Sequence, residues 1–134
     1  MNVRVWLLIP VTLLLFSFSS CKKDNDVKTL KLEDILGVYE GEEVTKMTLG
    51  GTKVDRKEKL TVTVTKSDME GIDGTITINP LTKLTFTLKD SKDGKLNFEI
   101  KHLLGSGNGY FTDTELHYTH SFANGTEEFV GKKK

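Results

Sequence analysis

Leu60-Thr61-Val62-Thr63-Val64-Thr65 alternates a large apolar residue with threonine at every step. A period of two puts Leu60, Val62 and Val64 on one face of an extended strand and the β-branched threonines on the other, as suits a strand buried on one side only. The same phase recurs downstream. Ile76 and Ile78 alternate with Thr75 and Thr77; Leu84, Phe86 and Leu88 with Lys83, Thr85 and Thr87; Leu96, Phe98 and Ile100 with Asn97 and Glu99; Leu116, Tyr118, His120 and Phe122 with Glu115, His117, Thr119 and Ser121.

Between these runs lies turn chemistry. Gly50-Gly51, Asp93-Gly94 and Asn124-Gly125 accept the positive φ that tight antiparallel hairpins require, while Asn79-Pro80, Gly71 to Gly74 and Gly105 to Gly109 supply further reversals. Eight strands are predicted, over about 37–48, 53–66, 72–79, 82–90, 95–103, 108–112, 114–123 and 126–132. Connections this short make neighbours in sequence neighbours in the sheet, and no helix-length segment separates the strands, which excludes parallel βαβ units. Eight strands with one apolar face lose their edges by closing on themselves. The predicted fold is therefore all-β: an eight-stranded antiparallel up-and-down barrel whose last strand pairs with its first. Ahead of it, Leu30, Leu32, Ile35 and Leu36 fall near helical spacing and Gly37 suits a left-handed end, so Thr29 to Leu36 reads as one or two helical turns plugging an open end.

Arg4, an apolar run from Val5 to about Phe16, and Ser19 and Ser20 before Cys21 reproduce the three regions of a secretory signal peptide. About 12 apolar positions reach only about 18 Å as a helix, against about 30 Å of hydrocarbon, and Pro10 interrupts them; the segment is a signal and not a permanent span. Cys21 follows Phe18-Ser19-Ser20 and resembles the lipobox of bacterial lipoproteins, whose cysteine is acylated and becomes residue one after cleavage; Phe18 stands where Leu is usual. That resemblance implies a membrane as partner, reached through acyl chains on Cys21. Each buried methylene contributes about 0.8 kcal/mol, so two or three chains hold the protein without help from the folded part. Lys22-Lys23-Asp24-Asn25-Asp26 resembles the charged signal that some Bacteroidetes lipoproteins carry after the cysteine and that is linked to surface display. The implied location is the cell envelope, as an outer-membrane lipoprotein facing either the periplasm or the outside. The chain divides into a signal peptide (1–20), a tether (21–31) and a barrel domain (32–134).

Composition narrows the functional classes. The sequence holds 19 basic and 19 acidic residues, and losing residues 1–20 removes Arg4 and no acid, leaving one net negative charge. A nucleic-acid binder gathers its basic residues on one face, whereas Asp55-Arg56-Lys57-Glu58-Lys59 mixes signs and reads as a solvated face; no nucleic-acid partner is expected. Cys21 is the only cysteine, so once it carries lipid no thiol remains for a disulfide, a metal or a nucleophile.

Ile35-Leu36-Gly37-Val38-Tyr39-Glu40-Gly41, which opens the first strand after a helical turn, resembles the start of the calycin-like or lipocalin-like domains of Bacteroidetes lipoproteins, with Gly37-x-Tyr39 in place of the lipocalin Gly-x-Trp. Glu128-Phe129-Val130-Gly131 resembles their closing strand. The resemblance covers residues 35 to 132 and implies a barrel that binds a small apolar ligand or a partner protein.

An eight-stranded barrel holds either its own side chains or one small ligand. The inward set is bulky, which favours a filled interior or a shallow pocket at one mouth. His120 shares the inward phase with Tyr118 and Phe122, and Tyr39 is expected to approach the same end, so His120, Tyr118 and Tyr39 are the candidate ligand-binding residues, a polar handle among apolar walls. His117 and His120, three apart on a strand, face opposite sides and cannot share a metal, and His102 has no partner nearby in sequence. The acidic Asp68 to Gly74 lacks the spacing of an EF-hand loop, and no helix follows Gly105 to Gly109 to make it a phosphate cradle, so both read as loops. Ser, His and Asp occur without a spacing that ties them into a triad. The expectation is a non-enzymatic binding barrel without cofactor or metal; the alternatives are a filled barrel that serves as a structural or interaction module through outward Thr-rich strands and, third, an envelope hydrolase.

Overall fold

The computed structural model describes residues 27–134; the expected signal peptide, Cys21 and most of the expected tether lie outside the described residues. The alternating runs form eight strands: β1 (Gly37–Leu49), β2 (Thr52–Lys66), β3 (Gly74–Asn79), β4 (Thr82–Lys92), β5 (Lys95–His102), β6 (Gly105–Phe111), β7 (Glu115–Phe122) and β8 (Gly125–Lys133). They close in sequence order, each antiparallel to the next, and β8 returns to pair with β1 from Tyr39↔Lys133 to Met47↔Gly125. This is the up-and-down barrel that the period of two predicts.

The turns obey the backbone demands of their residues. Gly50 and Gly51 adopt φ of 56° and 83°, and Asp93 and Gly94 adopt 53° and 73°, the positive pairs of tight hairpins. Ala123-Asn124 reverses the chain without positive φ, and Gly125 is needed for a different reason: a Cβ there would lie 2.1 Å from the carbonyl oxygen of Lys46 on β1.

Three turns, β2–β3, β4–β5 and β6–β7, gather with the N-terminal segment at one end, here called the closed end. Within that segment α1 (Leu32–Ile35) is a single helical turn, shorter than the stretch expected, and Leu36 is already extended. Leu30 and Ile35 are buried in the core, so the folded unit begins before residue 32. The Tyr39 hydroxyl donates to the carbonyl of Ile35 at 2.7 Å, and the Lys133 ammonium donates to the carbonyl of Asp34 at 2.6 Å, which fastens the plug to both β1 and β8. In the loop before β3, Asp73 accepts the backbone N–H of Leu88 at 2.6 Å, so this carboxylate is spent on holding the loop to β4.

The core above the plug is aromatic. Phe111 lies 6.0 Å from Tyr39, 5.6 Å from Phe86 and 4.8 Å from Phe98 between ring centroids. These rings fit because glycines face them. Gly74 pairs with Phe86 across β3 and β4, and Gly109 pairs with Phe98 across β5 and β6; a Cβ would come within 2.3 Å of the Phe86 ring at the first and 2.6 Å of the Phe98 ring at the second. Gly105 to Gly109 is therefore strand and not the flexible loop expected. Its glycines occupy alternate, inward positions on β6, in phase with buried Phe111.

One seam is short. β2 pairs with β3 only over Thr63–Lys66, although β2 begins at Thr52. The mixed-charge run Asp55 to Lys59 occupies the strand portion left without a β3 partner, where charged side chains discourage addition of a foreign strand.

Gly109→Ala and Gly74→Ala should each lower the unfolding free energy by about 1–3 kcal/mol through overpacking against a ring that cannot retreat. Asn108→Ala, at the exposed neighbouring position on β6, should stay within about 0.5 kcal/mol of wild type. Urea unfolding of the three variants decides it, and a Gly109→Ala protein no weaker than Asn108→Ala would overturn the packing account.

Candidate functional site

At the end opposite the plug, inward-facing side chains change character around the circumference. β4 and β5 contribute Leu84 and Ile100, whereas β1, β2, β7 and β8 contribute Glu43 and Thr45, Arg56 and Glu58, His120, and Glu127. Register explains why these meet. Glu43 stands across from Glu58 on β2, Thr45 stands between Arg56 on β2 and Glu127 on β8, and His120 stands across from Glu127 on β7 and β8. Alternation gives all six the inward phase, and Arg56 and Glu58, on the part of β2 that runs past β3, stand at the rim with 67% and 37% of their side chains exposed.

A cavity of about 320 Å³ opens here, lined by Leu84, Leu104 and Phe122 among apolar side chains and by His102, His120 and Glu127 among polar ones. Its size falls at the small end of ordinary ligand sites. Three leucines stand around it in solvent: Leu81 on the β3–β4 turn is 96% exposed, and Leu103 and Leu104 on the β5–β6 turn are 100% and 74% exposed. Exposed leucines on neighbouring hairpin tips beside an apolar cavity make this end the candidate contact surface. A larger groove of about 670 Å³ crosses the outer wall beside Gly41 and Gly131, but Glu40, Glu42, Lys59 and Lys132 frame it and no buried polar group faces it.

His120 is the best-defined polar feature of the cavity. Its side chain is only 7% exposed, Nδ1 lies 3.4 Å from Oε2 of Glu127, and Nε2 is buried without a hydrogen-bond partner among the described residues. Nε2 faces the bare backbone of Gly105, where a Cβ would lie 2.9 Å away. The His102 ring stands edge-on to it at 6.0 Å and accepts the N–H of Leu104 through Nδ1 at 3.3 Å. The barrel thus brings together two histidines that are eighteen positions apart in sequence. His117 faces outward, stacked on Tyr110 at 4.6 Å with Nε2 3.2 Å from Glu115.

Below His120, Tyr118 donates its hydroxyl to Oε2 of Glu43 at 3.4 Å and stacks on Phe129 at 5.3 Å. Glu43 is 6% exposed, and burial, followed by the charges of Glu127 and Glu58, raises its carboxyl above the ordinary 4.5. Burial likewise pushes the Tyr118 hydroxyl up, with the charge of Glu43 adding to it. Arg56 binds Glu58 at 2.6 Å, leaving neither Glu43 nor Glu127 with a Lys or Arg partner among the described residues.

Of the three candidates read from sequence, only His120 lines the cavity. Tyr118 sits one inward position deeper on β7, buried at 2% exposure and not among the cavity's walls. Tyr39 does not approach this end: β1 enters the barrel at the plug, where the Tyr39 ring is wholly buried and its hydroxyl is raised to about 12 by that burial. Glu43 and Glu127 escaped the sequence reading because β1 and β8 lack a clean apolar alternation.

No protein-family model matches the chain, and no curated protein matches it in sequence. Among the described residues, no three His, Cys, Asp or Glu side chains converge as metal ligands would.

Because the folded-state value of Glu43 exceeds 4.5, its contribution to stability is fully present below pH 4.5 and is lost as pH rises through the raised value. Glu43→Gln, which still accepts the Tyr118 hydroxyl, should match wild type in acid and become the more stable protein toward neutral pH. Thermal midpoints taken from pH 4 to pH 8 test this, and a gap between the two that narrows with rising pH would refute it.

Proposed function

We propose that this chain is a calycin-like, lipid-anchored lipoprotein of the cell envelope that binds a small apolar ligand at the mouth of its barrel and performs no catalysis. One observation carries the ligand reading: a cavity of about 320 Å³ at the end that carries the exposed leucines, walled by Leu84, Leu104 and Phe122 with the His120–Glu127 pair as its polar side. The lower barrel supports a modest ligand and not a deep one, since Phe86, Phe98, Phe111 and Phe129 fill it. The lipobox-like Cys21 supports the anchor, and the closed eight-stranded meander supports the calycin comparison.

A second reading uses the barrel from outside. Thr63↔Thr77, Thr65↔Thr75 and Thr75↔Thr85 stand directly across from each other on β2, β3 and β4, forming a threonine-covered wall that favours an interaction module.

N-phenylnaphthylamine, a neutral apolar fluorophore, should bind the purified protein saturably with one site, and Leu104→Asp, at an exposed position, should weaken it severalfold. Absence of saturable fluorescence would remove the ligand reading and leave the outer wall as the functional surface. Independently, Cys21→Ser should abolish uptake of labelled palmitate and release the protein from membranes; unchanged labelling would refute the anchor.

A further inference from the structure

We infer that the mouth cavity selects apolar ligands that carry a protonated amine over equivalents that carry a carboxylate, with Glu127 receiving the head group and Leu84, Leu104 and Phe122 the chain. The inference rests on the reading of this cavity as the ligand site and adds the chemical class of its occupant.

Two properties of the cavity's carboxylate point to a donor-bearing cation. Charge is the first. The carboxylates facing the mouth interior are Glu43, Glu58 and Glu127; Arg56 is committed to Glu58 at 2.6 Å, and Lys83 and Lys101, in the outward phase of β4 and β5, are exposed on the outer wall. Glu127, with a side chain 26% exposed, is the carboxylate that lines the cavity. In a site partly withdrawn from water, an incoming carboxylate meets that charge at reduced screening, whereas an ammonium is attracted by it.

Hydrogen-bond chemistry is the second. An ammonium offers three donors and no acceptor, and the Glu127 carboxylate, with a side chain 26% exposed and a single contact to His120 Nδ1, keeps acceptor positions open toward the cavity. A ligand carboxylate offers acceptors only and finds no donor in Glu127. A hydroxyl head can donate to Glu127 but brings no charge to it, which places alcohols between the two. The His120 Nε2 lies on the far side of the ring, buried against Gly105, and takes no part.

The test is displacement of N-phenylnaphthylamine by octylammonium, octanol and octanoate, three heads on one chain. Octylammonium should displace the fluorophore at about tenfold lower concentration than octanoate, with octanol between them. Glu127→Gln should shrink that ratio below about threefold, and the His120 ring nitrogen signals should shift on adding octylammonium to wild type. If the fluorophore binds and octanoate displaces it as well as octylammonium does, the head-group preference is overturned while the ligand site stands. If the fluorophore does not bind, both are overturned.

Discussion

The bore of an eight-stranded barrel admits roughly one layer of side chains, so any large ring inside it needs a neighbour with none. This chain meets that constraint by setting phenylalanines opposite glycines: Phe86 across from Gly74, Phe98 across from Gly109, and Phe129 with its ring over Gly131 two residues along β8. Each ring lies where a Cβ would have been. The consequence is a lower barrel closed by tilted aromatic pairs, Phe86 on Phe98 at 5.2 Å and Phe98 on Phe111 at 4.8 Å, which interlock without a void for a ligand.

That filling also explains the polarity of the other end. Once the rings satisfy the need for apolar burial, the remaining inward positions of β1, β2, β7 and β8 are free to hold charge, and they hold three glutamates against one arginine. A buried carboxylate is tolerated only with hydrogen bonds or by taking up a proton. Glu43 uses both routes, accepting from Tyr118 and titrating above its ordinary range. Leu84 on β4, Phe122 two residues along β7 from His120 and Leu104 on the β5–β6 turn supply the apolar walls, so strands and a hairpin tip together make the mouth amphipathic.

The fold was legible because five strands alternate cleanly and the dipeptides between them name their own turns. β6 was misread for a physical reason: in Gly105-Ser106-Gly107-Asn108-Gly109 the inward residues are glycines, and the usual meaning of clustered glycine, a turn, hid their regular spacing. Glycine at every second position, in phase with Phe111, was the available signal. His120 was found from phase alone. Its partners were not: Glu127 meets it through the register of the single β7–β8 hairpin and His102 across the intervening β6, and strand register is invisible to local pattern. Tyr39 was placed at the wrong end because phase tells which face a side chain takes but not how far along the barrel axis it sits. Cys21 is legible only as a sequence motif.

The two ends carry separate duties. The N-terminal segment enters at the closed end, where Leu30 and Ile35 are buried, Tyr39 binds Ile35, and Lys133 binds Asp34. Tyr39 belongs to β1 and Lys133 to β8, so these two hydrogen bonds tie the plug across the seam at which the barrel closes. If Cys21 carries lipid, any pull along the tether arrives at Leu30 and is shared by the first and last strands, the pair whose separation would open the sheet. Nothing in that path involves His120, Glu127 or the exposed leucines. The mouth lies at the far ends of the strands, about 20 Å away for strands of seven or eight residues tilted as in a barrel of this size. A tether that loads the seam and leaves the mouth untouched lets the charged arc diverge in sequence without endangering attachment or closure, and that separation is why the costly residues of this fold could collect at one end.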